Sequence, residues 1–418
     1  MNIKLPFFTG SSFQKNIFSM FKGTVVAQVI GVVGSLFLAK IYAPNLYGFY
    51  SAFLSFTSII TILSSLKLEY IIITDKSDTK SINVANSLLV VSLVTSVVPF
   101  IFFTLFRGFF LDKGITFTIL LLSVLTALIT ANSRILESYA TRKSKFKRIA
   151  NAKILTTFST ISIQLILFYF IKDGLIYGFI GSTIIVLLFY LITSRKFIKK
   201  PNFQLFKESI KTHINLLKFG FPSGLLNATA INSMPILMLS FFTASTAGVY
   251  ALSLKIVSLP LFIISASLSQ VYFQKASEYY NHQRGELYSF TKKVVKSNIL
   301  IIIGFLLLLN TVGVYLLNFV YDNEWENLSL YIFMLSFYIL QQTSFSPISS
   351  IIVITNKMQI GLLFNISLFL INLIAIYIGY LYDSIFITVL ILSIFGGLGY
   401  VILLAYFLKL IKSYKNES

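Results

Sequence analysis

The run ILIIIGFLLLLNTVGVYLLNF, from Ile299 to Phe319, holds two asparagines, a threonine and a tyrosine among aliphatic and aromatic side chains, and no charge. At ~1.5 Å of rise per residue, it can cross the ~30 Å hydrocarbon core of a bilayer as one helix. Lys292, Lys293 and Lys296 precede it and Asp322 and Glu324 follow, so charge stops at both borders. A strand would be complete in about a third of that length, and a soluble helix would show a polar face.

Eleven further runs read the same way: Lys22 to Ile41, Gly48 to Ser65, Ala85 to Phe106, Ile115 to Asn132, Ile154 to Ile171, Leu175 to Ile192, Phe219 to Phe242, Val249 to Val271, Leu330 to Ile352, Ile360 to Tyr380 and Ile385 to Leu408. The expected fold class is therefore all-α, a polytopic membrane protein with 12 transmembrane helices. Composition agrees: 418 residues with 56% hydrophobic and 11% charged side chains, 42 Phe and a mean hydropathy of +0.84 do not describe a water-soluble core or a disordered chain. No cysteine is present, which excludes a disulfide framework and a thiol nucleophile, and His213 and His282 alone cannot make a histidine-rich metal site.

The 34 Lys and Arg outnumber the 14 Asp and Glu by 20, and their placement explains why. With a cytoplasmic N-terminus, 29 of the basic residues fall on the inside and only Lys40, Arg107, Lys113 and Lys172 outside, with Lys255 within span eight. That asymmetry is the positive-inside rule, and it predicts that both termini are cytoplasmic. The basic charge is topological, so no nucleic-acid partner is expected. The clusters at Arg142, Lys143, Lys145, Lys147 and Arg148 and at Arg195, Lys196, Lys199 and Lys200 are expected to touch anionic membrane lipids. The segment from Asn2 to Met20 reads as an interfacial helix or a lead into span one.

The basic connection between spans six and seven divides the chain into residues 1–193, a cytoplasmic linker 194–218, and residues 219–418. Six spans per half give both halves the same orientation. A weak internal repeat supports the division: Tyr47-Gly48-Phe49-Tyr50 leads into span two as Ala247-Gly248-Val249-Tyr250 leads into span eight, 200 residues later. Two pseudo-symmetric six-helix bundles with a substrate path between them are expected.

Several stretches then resemble one family. Pro44-Asn45-Leu46-Tyr47-Gly48-Phe49-Tyr50, Leu66-Lys67-Leu68-Glu69-Tyr70, Gly220-Phe221-Pro222 and above all the block from Gly248 to Pro260, continued by Leu268 to Phe273, are similar to those of the Wzx polysaccharide flippases, or O-antigen transporters. The resemblance implies two bundles around a central cavity in a bacterial inner membrane. It also implies transport of undecaprenyl-diphosphate-linked oligosaccharide from the cytoplasmic to the periplasmic leaflet by alternating access, beside a polysaccharide polymerase and chain-length machinery.

Such a substrate is anionic and polar, so a shielded cavity must offer it cations and hydrogen-bonding groups. Lys255 is the cation well inside a span, two turns into the apolar run, with Ser258 one turn on and Ser269 on the same ideal face. Lys22 and Lys40 share a face of span one, five turns apart, and are cavity candidates or interface markers. Gln28 and Asn227 lead a set of amides in apolar helices that includes Gln164, Asn232, Gln341, Gln342, Asn365 and Asn372, for which helix-to-helix hydrogen bonding is the competing role. Glu69, at the inner end of span two, is the candidate for coupling to protons.

No carboxylate stands in mid-span, which disfavours an ion-coupled multidrug extrusion protein, and the segment from Glu69 to Lys80 lacks the arginine usual in major-facilitator carriers. A small-molecule secondary transporter of either type remains the alternative. Short outer loops without paired carboxylates, and the absence of a phosphate-binding glycine loop, argue against an enzyme; no cofactor is expected.

Overall fold

The computed structural model describes residues 12–75, 77–321 and 325–414, with side chains described except at 12–22, 263, 266, 267 and 270. Among the described residues, twelve helices are long and apolar enough to cross a membrane, and each contains or overlaps one of the twelve sequence runs. In chain order they are α1 Ser12–Ile41, α2 Pro44–Ser65, α3 Asp78–Leu105, α4 Phe117–Arg142, α5 Phe146–Phe168 and α6 Gly174–Ser194. Then follow α7 Leu216–Phe241, α8 Ala244–His282, α9 Arg284–Tyr321, α10 Leu328–Phe345, α11 Met358–Leu381 and α12 Ile385–Ser413. No strand occurs among the described residues.

Helix ends differ from the ends of the apolar runs in one systematic way. Where basic connections were expected, the helices continue: α4 runs past Asn132 to Arg142, α8 past Val271 to His282, and α9 begins at Arg284 rather than Ile299. An apolar run reports how much helix touches hydrocarbon, whereas hydrogen bonding continues wherever Lys, Arg, Glu, Ala and Leu favour it. The connection between α4 and α5 shrinks to Lys143, Ser144 and Lys145, with Ser144 left-handed at φ 52°. Residues 12–20 of the expected interfacial segment continue into α1, and its first part lies outside the described residues.

The chain forms two compact units. The first comprises residues 1–38 and 53–228. In it α5 and α6 make a hairpin joined by Thr160 Oγ1 donating to Ser182 Oγ at 2.7 Å and Gln164 Nε2 donating to the Leu175 carbonyl at 2.7 Å. Gly23 and Gly34 let Ala150 and Ile161 of α5 sit against the α1 backbone. Hydroxyls join α2 to α3 through Ser64 and Ser96, 2.9 Å apart, and α3 to α4 through Ser92 and Asn132 at 2.9 Å. In lipid such polar links add to packing at ~1 kcal/mol each.

The residues after α6 are part of this unit. Asn83 and Asn86, one turn apart on α3, grip their backbone: Asn83 donates to the Asn202 carbonyl and accepts from the Asn202 amide, both at 2.7 Å, while Asn86 donates to the Phe197 carbonyl and accepts from the Lys199 amide. Asn202 in turn caps the amphipathic helix Phe203–Thr212, whose Phe206 packs among Leu68, Ile71, Ile72 and Tyr139. Arg142, expected to face lipid headgroups, closes the C-terminal end of the short helix Glu69–Thr74 instead, donating to the carbonyls of Ile72 and Asp75 and pairing with Asp78 at 2.8 Å. Lys143 also pairs with Asp78.

The second unit comprises residues 39–52 and 229–418. Here α8 lies against α10, with Leu252, Ser253, Ile256 and Val257 buried, and Asn298 of α9 donates to the Thr343 carbonyl of α10 at 2.7 Å. Asn372 of α11 donates to the Ala230 carbonyl and to Ser233 Oγ, and Gln342 to the Tyr400 hydroxyl. Gln164, Gln342 and Asn372 are thus helix-to-helix links, the competing role anticipated for such amides. The α1–α2 turn is held by the same unit. A Cβ on Gly48 would fall inside the Ala244 carbonyl, and a Cβ on Gly248 inside the Pro44 carbonyl, so each of the two repeated turns rests on the other's backbone. Trp325 completes the contact: its Nε1 donates to the Ala39 carbonyl at 2.8 Å, and its ring meets Tyr47 edge-on at 5.2 Å.

Candidate functional site

In the second unit, a Thr243–Thr246 capping box starts α8 five residues before its apolar run, so Lys255 sits eleven residues into the helix, about three turns rather than two. Ser253, two residues earlier and so about 200° round the helix, points to α10 and donates toward the Leu328 carbonyl. Lys255 therefore lies on the face away from α10. It is half-buried, Ser258 shares its face and is half-buried too, and no hydrogen-bond or ionic partner for the Lys255 amine occurs among the described residues. Ser269, which ideal counting places on the same stripe, donates instead to the Ser346 carbonyl beyond Pro260.

Lys40 is placed differently. Its amine donates to the carbonyl of Val320 at the end of α9, which ties the α1–α2 turn down beside Trp325. The first unit holds Lys22, Gln28, Asn227 and Glu69. The Lys22 side chain lies outside the described residues. Gln28 is half-buried with a buried Oε1 that has no hydrogen-bond partner among the described residues, and Asn227 is exposed. Glu69 is 8% exposed, and its Oε2 likewise lacks a hydrogen-bond partner among the described residues.

Glu69 opens onto a group of charges that reading the apolar runs did not single out. Because α4 continues to Arg142, Arg134 and Glu137 stand on a helix, one turn apart, and both border two clefts. One, of 330 Å³, lies between α4 and the helix Glu69–Thr74 and is lined by Glu69, Tyr70, Arg134 and Glu137. The other, of 180 Å³, lies between α4, α5 and α6 and adds Lys153, Thr156, Phe179 and Tyr190. Lys67 approaches the same region from a strained turn, where Leu66 and Lys67 are left-handed at φ 51° and 56°. Its ammonium lies against Gly224 and 5.7 Å from the Tyr70 ring centre. Burial holds that ammonium below the ordinary lysine value; the Glu69 carboxylate works against this and the Arg134 guanidinium adds to it. The only sequence signal for this group was the similarity of Leu66-Lys67-Leu68-Glu69-Tyr70 to a family block.

Chemically, the second unit offers Lys255, a cation within a span and unpaired among the described residues, with a hydroxyl beside it, and the first offers a mixed cluster of cations, carboxylates, hydroxyls and aromatic rings. Neither provides a metal cluster: no group of three or more His, Asp or Glu that could hold an ion occurs among the described residues.

A family model described as polysaccharide biosynthesis protein matches residues 37–330. No curated protein matches the chain in sequence. Among solved structures, the lipid II flippase MurJ in an inward closed conformation is similar at 15% identity and a TM-score of 0.73, over 95% of this chain and 90% of that one. An inward-facing multidrug resistance MATE transporter of the MOP superfamily matches at 16% identity and 0.67, over 100% and 98%. A MOP superfamily transporter from Pyrococcus furiosus matches at 13% and 0.61, over 99% of each chain. The fold is thus that of membrane flippases and transporters, and the chain is a multi-pass membrane protein.

Proposed function

Since the chain belongs to the polysaccharide biosynthesis protein family, we propose that it is a flippase that moves undecaprenyl-diphosphate-linked glycan repeat units from the cytoplasmic to the periplasmic leaflet of a bacterial inner membrane, for O-antigen or other surface polysaccharide. The observation that carries the reading is Lys255, a cation without an ionic or hydrogen-bond partner among the described residues, on the face of α8 turned away from α10. A lysine at the centre of a membrane helix costs ~2.5 to 3.5 kcal/mol on insertion scales, and an anionic headgroup offsets that cost during transport. Ser258 adds a hydrogen bond beside it, and Gln28, Asn227 and Lys22 contribute from the first unit. Lys40 joins them once it leaves the Val320 carbonyl, and Glu69 couples the cycle to protons.

Residues 1–193 and 219–418 act as the two bundles of an alternating-access cycle, with the linker 194–218 and both termini in the cytoplasm. The lipid tail stays in the bilayer while only the headgroup crosses. A polymerase and chain-length machinery take up the product on the far side. The test is complementation of flippase-null strains that carry different surface-glycan loci. Return of a polymer in at least one strain is expected; none returning, with the protein present in the inner membrane, rejects the reading.

A further inference from the structure

The cleft between α4, α5 and α6 takes no part in that reading, yet its charges are arranged unlike the structural ion pairs around it. Close by, Asp78 is paired with Arg142 and Lys143, and Lys80 lies 3.5 Å from Glu208. Arg134, Glu137 and Lys153 form no ion pair among the described residues, although all three line one cleft of 180 Å³. Among the described residues, the ammonium of Lys153 makes a single long contact, 3.5 Å to the Thr24 hydroxyl. Across the Arg134–Glu137 edge, the nearly buried Glu69 keeps an oxygen without a hydrogen-bond partner among the described residues. Charged groups that could neutralise one another but stand apart around an open space are equipped for a ligand rather than for stability.

The lining says which class of ligand. Arg134 and Lys153 supply a forked and a point-like cation for an anionic group. Glu137 accepts hydroxyl hydrogens, Thr156 can donate or accept, and Phe179 and Tyr190 offer ring surface to carbon-bound hydrogens. A bare inorganic anion would leave the carboxylate and rings unused, and an organic cation would meet two positive charges against one negative.

We propose that this cleft is a subsite for a single sugar residue that bears an anionic group, the anion held by Arg134 and Lys153 and the ring hydroxyls by Glu137. The proposal rests on the glycan-flippase reading and deepens it by placing a sugar inside the first unit. The anion can be a phosphate at the linked end of a glycan or the carboxylate of an acidic sugar, and the same chemistry serves both.

The full chain, purified in detergent, is titrated with glucose 1-phosphate, glucuronate and neutral glucose while its melting temperature is followed, since a ligand that binds the folded state raises it. At least one of the two anionic sugars should raise it, and which one does identifies the source of the anion; glucose should do so much more weakly. Arg134→Gln and Glu137→Gln should each weaken the apparent affinity at least tenfold. Arg134→Lys should keep part of it, and Arg195→Gln, an exposed guanidinium outside the cleft, should leave it unchanged. If Arg134→Gln is too unstable to purify, the isosteric Glu137→Gln and the charge-preserving Arg134→Lys still decide the matter. No shift with either anionic sugar, or a shift untouched by the cleft variants, overturns the subsite. Should the wild type restore a surface polymer yet show no such shift, the subsite fails and the flippase reading stands. A cleft-dependent shift in a chain that restores no polymer supports the subsite and rejects the flippase.

Discussion

Lys255 is half-buried, and its amine makes no hydrogen bond or ion pair among the described residues, so truncating it breaks no polar contact of the folded unit and its loss reads on transport. Lys255→Ala should abolish surface glycan in a complementing strain while protein level and membrane insertion stay normal, and Lys255→Arg should retain part of the signal because charge survives while hydrogen-bond geometry changes. Polymer at the wild-type level in the Ala variant, measured by gel or lectin staining at matched expression, would reject the assignment. This lysine was legible in the sequence because it is the one charge deep in an otherwise apolar run. Arg134 and Glu137 were not, for the opposite reason: the apolar run ends at Asn132, and residues beyond such an end read as loop. Lys40 shows a third case. Its carbonyl partner is 280 residues away, a relation that no local pattern encodes.

At the scale of elements, twelve helices could be read from twelve apolar runs because lipid tolerates no unpaired backbone and helices satisfy their own. Their ends could not, since continuation past the apolar border depends on propensity and on caps such as Thr243 with Thr246. The stretch after α6 is the clearest instance. Its basic residues read as a linker, and nothing in them announces that Asn83 and Asn86 hold it by four backbone hydrogen bonds. Replacing either asparagine leaves a backbone amide and a carbonyl to find water, at ~1 to 3 kcal/mol if they stay buried. Asn83→Ala and Asn86→Ala should therefore speed tryptic cleavage at Lys196 and Lys199 several-fold, with the double variant fastest. Cleavage at the wild-type rate would mean that the amides do not hold this stretch in place.

For the molecule as a whole, the distribution of Lys and Arg predicts orientation, and the test is independent of transport. A cysteine at Ser384, in the turn between α11 and α12, should react with a membrane-impermeant maleimide once the outer membrane is opened and the inner membrane is intact. Labelling only after the inner membrane is permeabilised would invert the topology. The doubling of the chain was partly visible in the Tyr47-Gly48 and Ala247-Gly248 turns, whereas the membership of residues 39–52 in the second compact unit was not, because it rests on contacts made 200 residues further on. Those contacts, Gly48 on Ala244 and Gly248 on Pro44, have a consequence for how far the molecule needs to be one polypeptide. They are a recognition surface independent of covalent continuity. Severed after His213 and produced as two fragments in one cell, the chain should reassemble, and the fragments should co-purify through an affinity tag on either. Gly48→Leu or Gly248→Leu should abolish that capture while the uncut variant still inserts, so the two glycines would decide whether a broken copy of the gene can be rescued by its other half.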